Sequence, residues 1–310
     1  SDEDWVNAVV SDGDEKVDAR IRLKGDRTDH WITDKWSLRI RVRNDETLYS
    51  MRSFSIQHPK TRWWFREFIY QNILKEEDVL NVRYRFVEVI INGKNKGIYA
   101  LEEHFDKRLL ENNNRREGPI MQFDEGIWYL NIFQDITYLS EQQPIPGSFY
   151  YPLTVIDSFQ SQTTLEDPVK LEQFNKGKSL LENFRLGELK TSEIFDVDVL
   201  SRYMALNSIL GGEHASLWYN IKFYYNPVTS KLEPIGFDAH IASEIQEKIK
   251  KEYFPVLNED DSMEIPRIFF SDEVFFNKFI EKLERFSEKE YLDNLFENMD
   301  KEIKKNINII

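Results

Sequence analysis

The chain of 310 residues contains no cysteine. It therefore cannot form a disulfide or a thiolate metal site, and it has no cysteine nucleophile. Long hydrophobic runs are missing as well: no stretch is apolar enough to span a membrane, and residues 1–20 have no signal-peptide core. The chain opens on Ser1-Asp-Glu-Asp4, which indicates a trimmed start from which a leader or anchor could have been removed.

Two common catalytic motifs are also absent. There is no P-loop ending in Gly-Lys-Ser/Thr and no Gly-x-Ser-x-Gly elbow. The net charge of −14 argues against nucleic acid as the main partner, because a phosphate backbone requires a basic face. A hydrophobic content of 41% with 14% aromatic residues indicates a folded protein, long enough for one large domain or two lobes.

Positive charge is concentrated in one part of this acidic chain. Residues 20–43 contain Arg20, Arg22, Lys24, Arg27, Lys35, Arg39, Arg41 and Arg43. Several of these alternate with apolar residues at a period of two, which predicts half-buried strands. Such a basic sheet is either a solvated strand face or a face that binds a small polyanion such as a nucleotide.

Hydrophobic periodicity predicts an α+β protein with two lobes. Residues 1–103 are predicted to form a β-rich N-terminal lobe with one helix at 61–74, and residues 104–310 a mainly helical C-terminal lobe. Within the second lobe, helices are expected at 168–182, at Val197–Leu210 after an Asp196 N-cap, and two or three times within 265–307. Residues 124–166 are rich in aromatics, proline and glutamine, and their structure is left open.

A short hairpin in the second lobe carries the clearest functional signal. Residues 220–225 and 232–237 are predicted to be its strands, so antiparallel pairing brings Asn220 and Asp238 together at its open end. Amide and carboxylate oxygens suit a magnesium ion, which takes few protein ligands. Alternatively, Asn220 pairs with backbone groups and Asp238 caps the segment that follows.

Several other residues are candidates for a phosphate site. Lys35, predicted to begin a strand, and Glu67, on the single helix of the first lobe, could pair as kinases pair such residues. Strand lysines and helix glutamates are common, however. The loop from Lys24 to His30 could cover phosphates, although its one glycine, Gly25, also suits an ordinary hairpin loop.

The segment that precedes the hairpin offers candidate catalytic groups. Glu213 and His214 could act as a base or orient a reacting group. A metal site formed by His104, His214 and His240 with Glu102 or Glu103 is also conceivable, but no ligand spacing supports it.

Several blocks of the sequence, in the same order, resemble the spore coat protein H (CotH) kinase family. The resemblance covers roughly residues 17–250. Its most specific blocks are Leu23-Lys-Gly25, Asp34-Lys-Trp-Ser-Leu-Arg39, Phe54-Ser-Ile-Gln57 with Arg66-Glu67, Val89-Ile-Ile-Asn-Gly93, Gly97-Ile-Tyr-Ala-Leu-Glu-Glu103, Phe195-Asp-Val-Asp198, and the final Asn220 and Asp238.

The resemblance implies a bilobal atypical protein-kinase-like fold that binds ATP with Mg²⁺ or Mn²⁺ and phosphorylates serine or threonine of a protein. It implies that Asn220 and Asp238 bind the metal and that Lys35 and Glu67 bind the phosphates. The matching blocks add Lys24, Gly25 and Glu102 to the residues assigned to the cofactor. Family habit also favours a location outside the cytoplasm, in a spore coat, cell envelope or secreted complex.

One departure from the family pattern concerns the loop before Asn220. The family usually has an aspartate there, whereas residues 213–219 read Glu-His-Ala-Ser-Leu-Trp-Tyr. Either Glu213 replaces it, with His214 assisting, or the protein is a non-catalytic nucleotide-binding or assembly protein on the same scaffold. Transfer of AMP instead of phosphate is a third hypothesis.

Overall fold

A computed structural model describes residues 5–25, 30–31, 33–126, 151–239, 264–307 and 309. The chain divides into two compact units. The first comprises Ser1–Lys75, Asn81–Arg115 and Lys289–Ile310, and the second comprises Glu76–Leu80 and Arg116–Glu288. The predicted boundary near residue 103 falls inside the first unit.

The first unit contains a curled antiparallel sheet. Its strands are β1 (Val6–Asp12), β2 (Glu15–Leu23), β3 (Leu38–Val42), β4 (Ser53–Gln57), β6 (Tyr84–Ile91) and β7 (Lys94–Glu103), in the order β1-β2-β3-β4-β7-β6. The strands predicted from alternating residues are confirmed, whereas β1 was not predicted.

The two faces of this sheet differ in chemistry because side chains alternate along each strand. One face packs the apolar core of the unit, which includes Val17, Ala19, Ile40, Val42, Phe54, Ile56 and Leu101. On the other face Arg20 lies directly opposite Arg41, and Arg22 directly opposite Arg39. Like charges at that spacing repel, so this face favours anionic partners.

Helix α1 (Phe65–Glu76) begins later than the predicted residue 61. Residues Pro59–Arg62 form a 3₁₀ turn, and Trp63 and Trp64 adopt left-handed backbone angles, with φ of 54° and 59°. Such angles are strained for bulky residues and interrupt the helical periodicity. Helix α2 (Lys107–Asn112) completes this part of the unit.

The second unit contains the other sheet. Its strands are β5 (Leu80–Asn81), at the division between the units, β8 (Ile120–Phe123), β9 (Ile156–Ser158), β10 (Lys222–Asn226) and β11 (Lys231–Gly236), in the order β5-β11-β10-β8-β9. The predicted hairpin is confirmed, since β10 and β11 pair from Lys222 opposite Ile235 to Asn226 opposite Lys231.

The remaining helices confirm the mixed α+β content. They are α3 (Ser161–Glu166), α4 (Pro168–Arg185), α5 (Thr191–Ile194), α6 (Val197–Leu210), α7 (Glu264–Phe270), α8 (Glu273–Ser287) and α9 (Lys289–Ile307). Helix α6 has its predicted bounds because the Asp196 side chain accepts from the Val199 N–H at 3.1 Å, and Gly211, with φ of 67°, ends it. Among the helices described, none is both long and apolar enough to cross a membrane.

Candidate functional site

In the first unit, the end of β2 places the Lys24 ammonium in a buried polar cluster. Lys24 Nζ lies 2.5 Å from Glu102 Oε1 and donates to Gln57 Oε1 at 3.0 Å. Arg62 Nε and Gln57 Nε2 each donate to Glu102 Oε2 at 3.1 Å. One carboxylate, whose side chain is only 2% exposed, therefore holds two cations and an amide.

Positive charge exceeds negative charge around this cluster. Burial lowers the pKa of Lys24 to about 8, in spite of the attraction of Glu102. Burial and neighbouring arginines lower the pKa of Arg39 to about 10. Burial and the same cations hold the pKa of His104 well below its ordinary value. A bound polyanion would relieve the repulsion among these groups, so the cluster fits the phosphates of a nucleotide.

Gly25 directly follows the cluster lysine and cannot be replaced without strain. Its φ is +105°, and a Cβ atom at this position would lie 2.2 Å from ring atoms of His30. The chain therefore needs glycine to turn out of β2.

The structure does not bring the predicted pair Lys35 and Glu67 together. Lys35 Nζ donates to Ile98 O at 3.1 Å and lies 5.7 Å from the centre of the Tyr99 ring. Glu67 Oε1 accepts from Gln71 Nε2 at 2.7 Å, one helical turn away. The physical reason is that β3 begins only at Leu38, so Lys35 precedes the strand instead of projecting from it. Lys24, and not Lys35, forms an ion pair with a buried glutamate, Glu102. The cofactor roles of Lys35 and Glu67 stay predictions.

In the second unit, Asn220 and Asp238 meet at the open end of the β10–β11 hairpin. Asn220 Nδ2 lies 3.0 Å from His214 O and 3.2 Å from both Phe237 O and Asp238 O. Three carbonyl acceptors fix the orientation of the amide. Its oxygen accepts no hydrogen bond from any residue that the structure describes, which leaves Asn220 Oδ1 able to bind a cation.

Asp238 occupies a strained backbone position next to this amide. Its φ is 54°, in the left-handed region, and the residue is 9% exposed. His214 Nδ1 lies 2.7 Å from Asp238 O, and because a carbonyl only accepts, the ring proton sits on Nδ1. This hydrogen bond joins the loop that contains His214 to the backbone at Asp238. Strain that persists at a buried carboxylate is typical of functional sites.

The loop before Asn220 is held rigidly by helix α6. Glu213–Ser216 form a 3₁₀ turn, in which Ala215 O accepts from the Tyr203 hydroxyl at 2.7 Å and Ser216 Oγ accepts from Asn207 Nδ2 at 2.8 Å. Glu213 begins this turn and is the only carboxylate in residues 213–219.

The donors of the second unit fit a divalent ion of the magnesium type. Asn220 Oδ1 and the Asp238 carboxylate are hard oxygen ligands, and such ions keep several waters. Among the described residues, no group of three or more His, Asp or Glu side chains could hold a metal. The alternative histidine site includes His240, which lies outside the described residues, so that site stays a hypothesis.

Lys222, two residues after Asn220, was missed by sequence reasoning. It is 5% exposed on the central strand β10. Burial lowers its pKa to about 8, although Glu125 and Asp238 attract its charge. The signal was present in the sequence, since a lysine interrupts the otherwise apolar run from Ile221 to Tyr225.

Gln57 and Arg62 were missed as well. Gln57 ends a strand whose five residues are all buried, although Ser53, Ser55 and Gln57 are polar. Buried polar residues at a period of two indicate a polar cluster on one face. Their partner, Glu102, could not be identified without the pairing of β4 with β7.

The chain belongs to a known family. The family model described as CotH kinase protein matches residues 21–309, nearly the whole chain. This membership makes the chain a kinase-like protein. A search of curated proteins finds no match.

Proposed function

We propose that this protein transfers the γ-phosphoryl group of ATP to a serine or threonine hydroxyl of a protein, with Mg²⁺ or Mn²⁺ as the metal. Lys24, Arg62 and Arg39 supply positive charge for phosphate oxygens, and Glu102 orients the first two. Asn220 and Asp238 hold the metal, which neutralises charge on the transferred group. Glu213 orients the acceptor hydroxyl.

The observation that carries this proposal is the geometry of Asn220. Its amide donor is used by backbone carbonyls while its oxygen remains available beside a buried, strained aspartate. A purely structural asparagine would use both ends of its amide inside the protein. The excess positive charge around Lys24 is a separate observation that favours an anionic ligand.

Intact-mass spectrometry tests the proposal. After incubation with ATP and Mn²⁺, the chain or an added acceptor protein should gain the mass of one phosphoryl group on serine or threonine. Asp238→Ala should abolish this gain. Asp157→Ala, which removes an exposed carboxylate from β9 of the same unit, should leave it unchanged.

The second candidate function is nucleotide binding without transfer, and the loop sequence favours it because residues 213–219 contain no aspartate. ATP binding without any mass gain would support this alternative and contradict the kinase proposal. A gain equal to the mass of AMP would instead identify AMP transfer. Phosphoryl transfer remains feasible without that aspartate because positioning and metal electrostatics provide most of the acceleration.

A further inference from the structure

Lys222 is a buried cation in the sheet of the second unit. It lies in the centre of the sheet, opposite Gln122 on one neighbouring strand and Ile235 on the other. Among the residues that the structure describes, none accepts a hydrogen bond from its ammonium or forms an ion pair with it. Asp238 and Glu125 act on it only through longer-range attraction.

An ammonium in this position costs stability. Burying a charge without hydrogen bonds is unfavourable, and an apolar residue of similar volume at this position would be buried at lower cost. On the same face of the sheet, Ile235 opposite Lys222 is 1% exposed, and Tyr224, two residues further along β10, is fully buried. A residue that weakens its own fold in this way is expected to serve a ligand.

We infer that Lys222 is a phosphate-binding residue, whose ammonium donates to the terminal phosphates of the nucleotide held by the metal at Asn220 and Asp238. This inference rests on the proposed function. An ammonium carries three donors and no acceptor, so an oxyanion is the partner that satisfies it. Lys222 is the first residue of β10 and lies opposite Ile235 of β11, so it is at the same end of the hairpin as Asn220 and Asp238.

When its charge is removed, a ligand-binding lysine and a structural lysine should change the melting temperature of the ligand-free protein in opposite directions. Lys222→Met removes the charge and keeps a flexible side chain of similar length. The melting temperature of the ligand-free variant should therefore rise, whereas ATP with Mn²⁺ should bind about tenfold or more weakly. AMP, which lacks the terminal phosphates, should bind both proteins equally.

Two further variants complete the experiment. Lys222→Arg keeps the charge and should retain part of the ATP affinity. Lys176→Met removes an exposed lysine of α4 and should change neither the melting temperature nor the affinity. Calorimetric titration and thermal melts provide both readouts.

The outcomes separate this inference from the function on which it rests. If the wild type binds ATP and Lys222→Met binds it equally well, or melts at a lower temperature with unchanged affinity, Lys222 is structural and the inference fails alone. If the wild type binds no nucleotide with either metal, the proposed function fails and the inference fails with it.

Discussion

At the scale of single residues, both candidate clusters contain buried charged side chains. Glu102 neutralises only part of the charge of Lys24, Arg62 and Arg39. Its removal would break the buried ion pairs with Lys24 and Arg62, which typically costs about 3 kcal/mol or more. The same imbalance makes the stability of the protein depend on pH.

Lys24 gives the direction of that dependence. Its pKa of about 8 in the folded protein lies below its ordinary value of 10.5. Between these values the unfolded chain binds more protons than the folded one, so stability rises with pH. We expect Lys24→Met to reduce this rise by up to about 1 kcal/mol per pH unit, measured by urea unfolding from pH 7.5 to pH 10.

Burial also lowers the pKa of Lys222 to about 8, so the stability of Lys24→Met should still rise with pH, although less steeply than that of the wild type. Lys16→Met, which removes an exposed lysine from β2, should leave the slope unchanged. Equal slopes in wild type and Lys24→Met would show that the Lys24 ammonium is not desolvated as the structure indicates.

Glu213 is the second prediction at this scale. If it orients the acceptor hydroxyl, Glu213→Gln should slow phosphoryl transfer about a hundredfold or more while ATP affinity stays within a factor of two or so. Single-turnover kinetics with a titration of ATP measure both quantities. A variant as fast as the wild type would remove Glu213 from the mechanism.

At the scale of elements, helix α6 and the β10–β11 hairpin position the second cluster. Tyr203 and Asn207 on α6 anchor the loop that contains Glu213, and the hairpin brings Asn220 to Asp238. Helix α6 in turn begins at a side-chain cap. The positions of the site residues therefore depend on the stability of this helix.

Asp196→Ala tests that dependence. Loss of the N-cap hydrogen bond to Val199 should lower the free energy of unfolding by about 1 kcal/mol. Denaturant unfolding measures this change. Asp300→Ala, which removes one exposed ion pair with Lys304 on α9, should change stability by less than about 0.5 kcal/mol. Equal losses in the two variants would contradict the capping role.

The same elements show what the sequence can and cannot predict. Helix α6 and the hairpin were predictable because capping residues, turn residues and periodicity are local signals. The position of Lys35 was not, because Trp36 continues the apparent alternation although β3 begins at Leu38 and Trp36 is 53% exposed. The Lys24–Glu102 pair depends on strands 78 residues apart, whose register no local pattern reveals.

At the scale of the whole molecule, a division into two units was predictable from the sequence, but the segments that form each unit were not. Helix α9 groups with the first unit although it follows the second in sequence. Its Ile303 packs against the cluster of Phe68, Tyr84 and Phe86. A contact between segments so far apart in sequence cannot be predicted from local sequence patterns. The blocks that resemble the family are local patterns, and they indicated the kinase-like class.

The central claim for the molecule is that it binds ATP together with a divalent metal ion. The most direct test is a thermal-shift titration with ATP, with and without Mg²⁺ or Mn²⁺, on the wild type, Lys24→Met, Asp238→Ala and Asp157→Ala. A ligand that binds only the native state raises the melting temperature with its concentration. We predict a metal-dependent rise in the wild type and Asp157→Ala, and its loss in the other two variants. A rise that persists in Asp238→Ala, or no rise in the wild type with either metal, would contradict the claim.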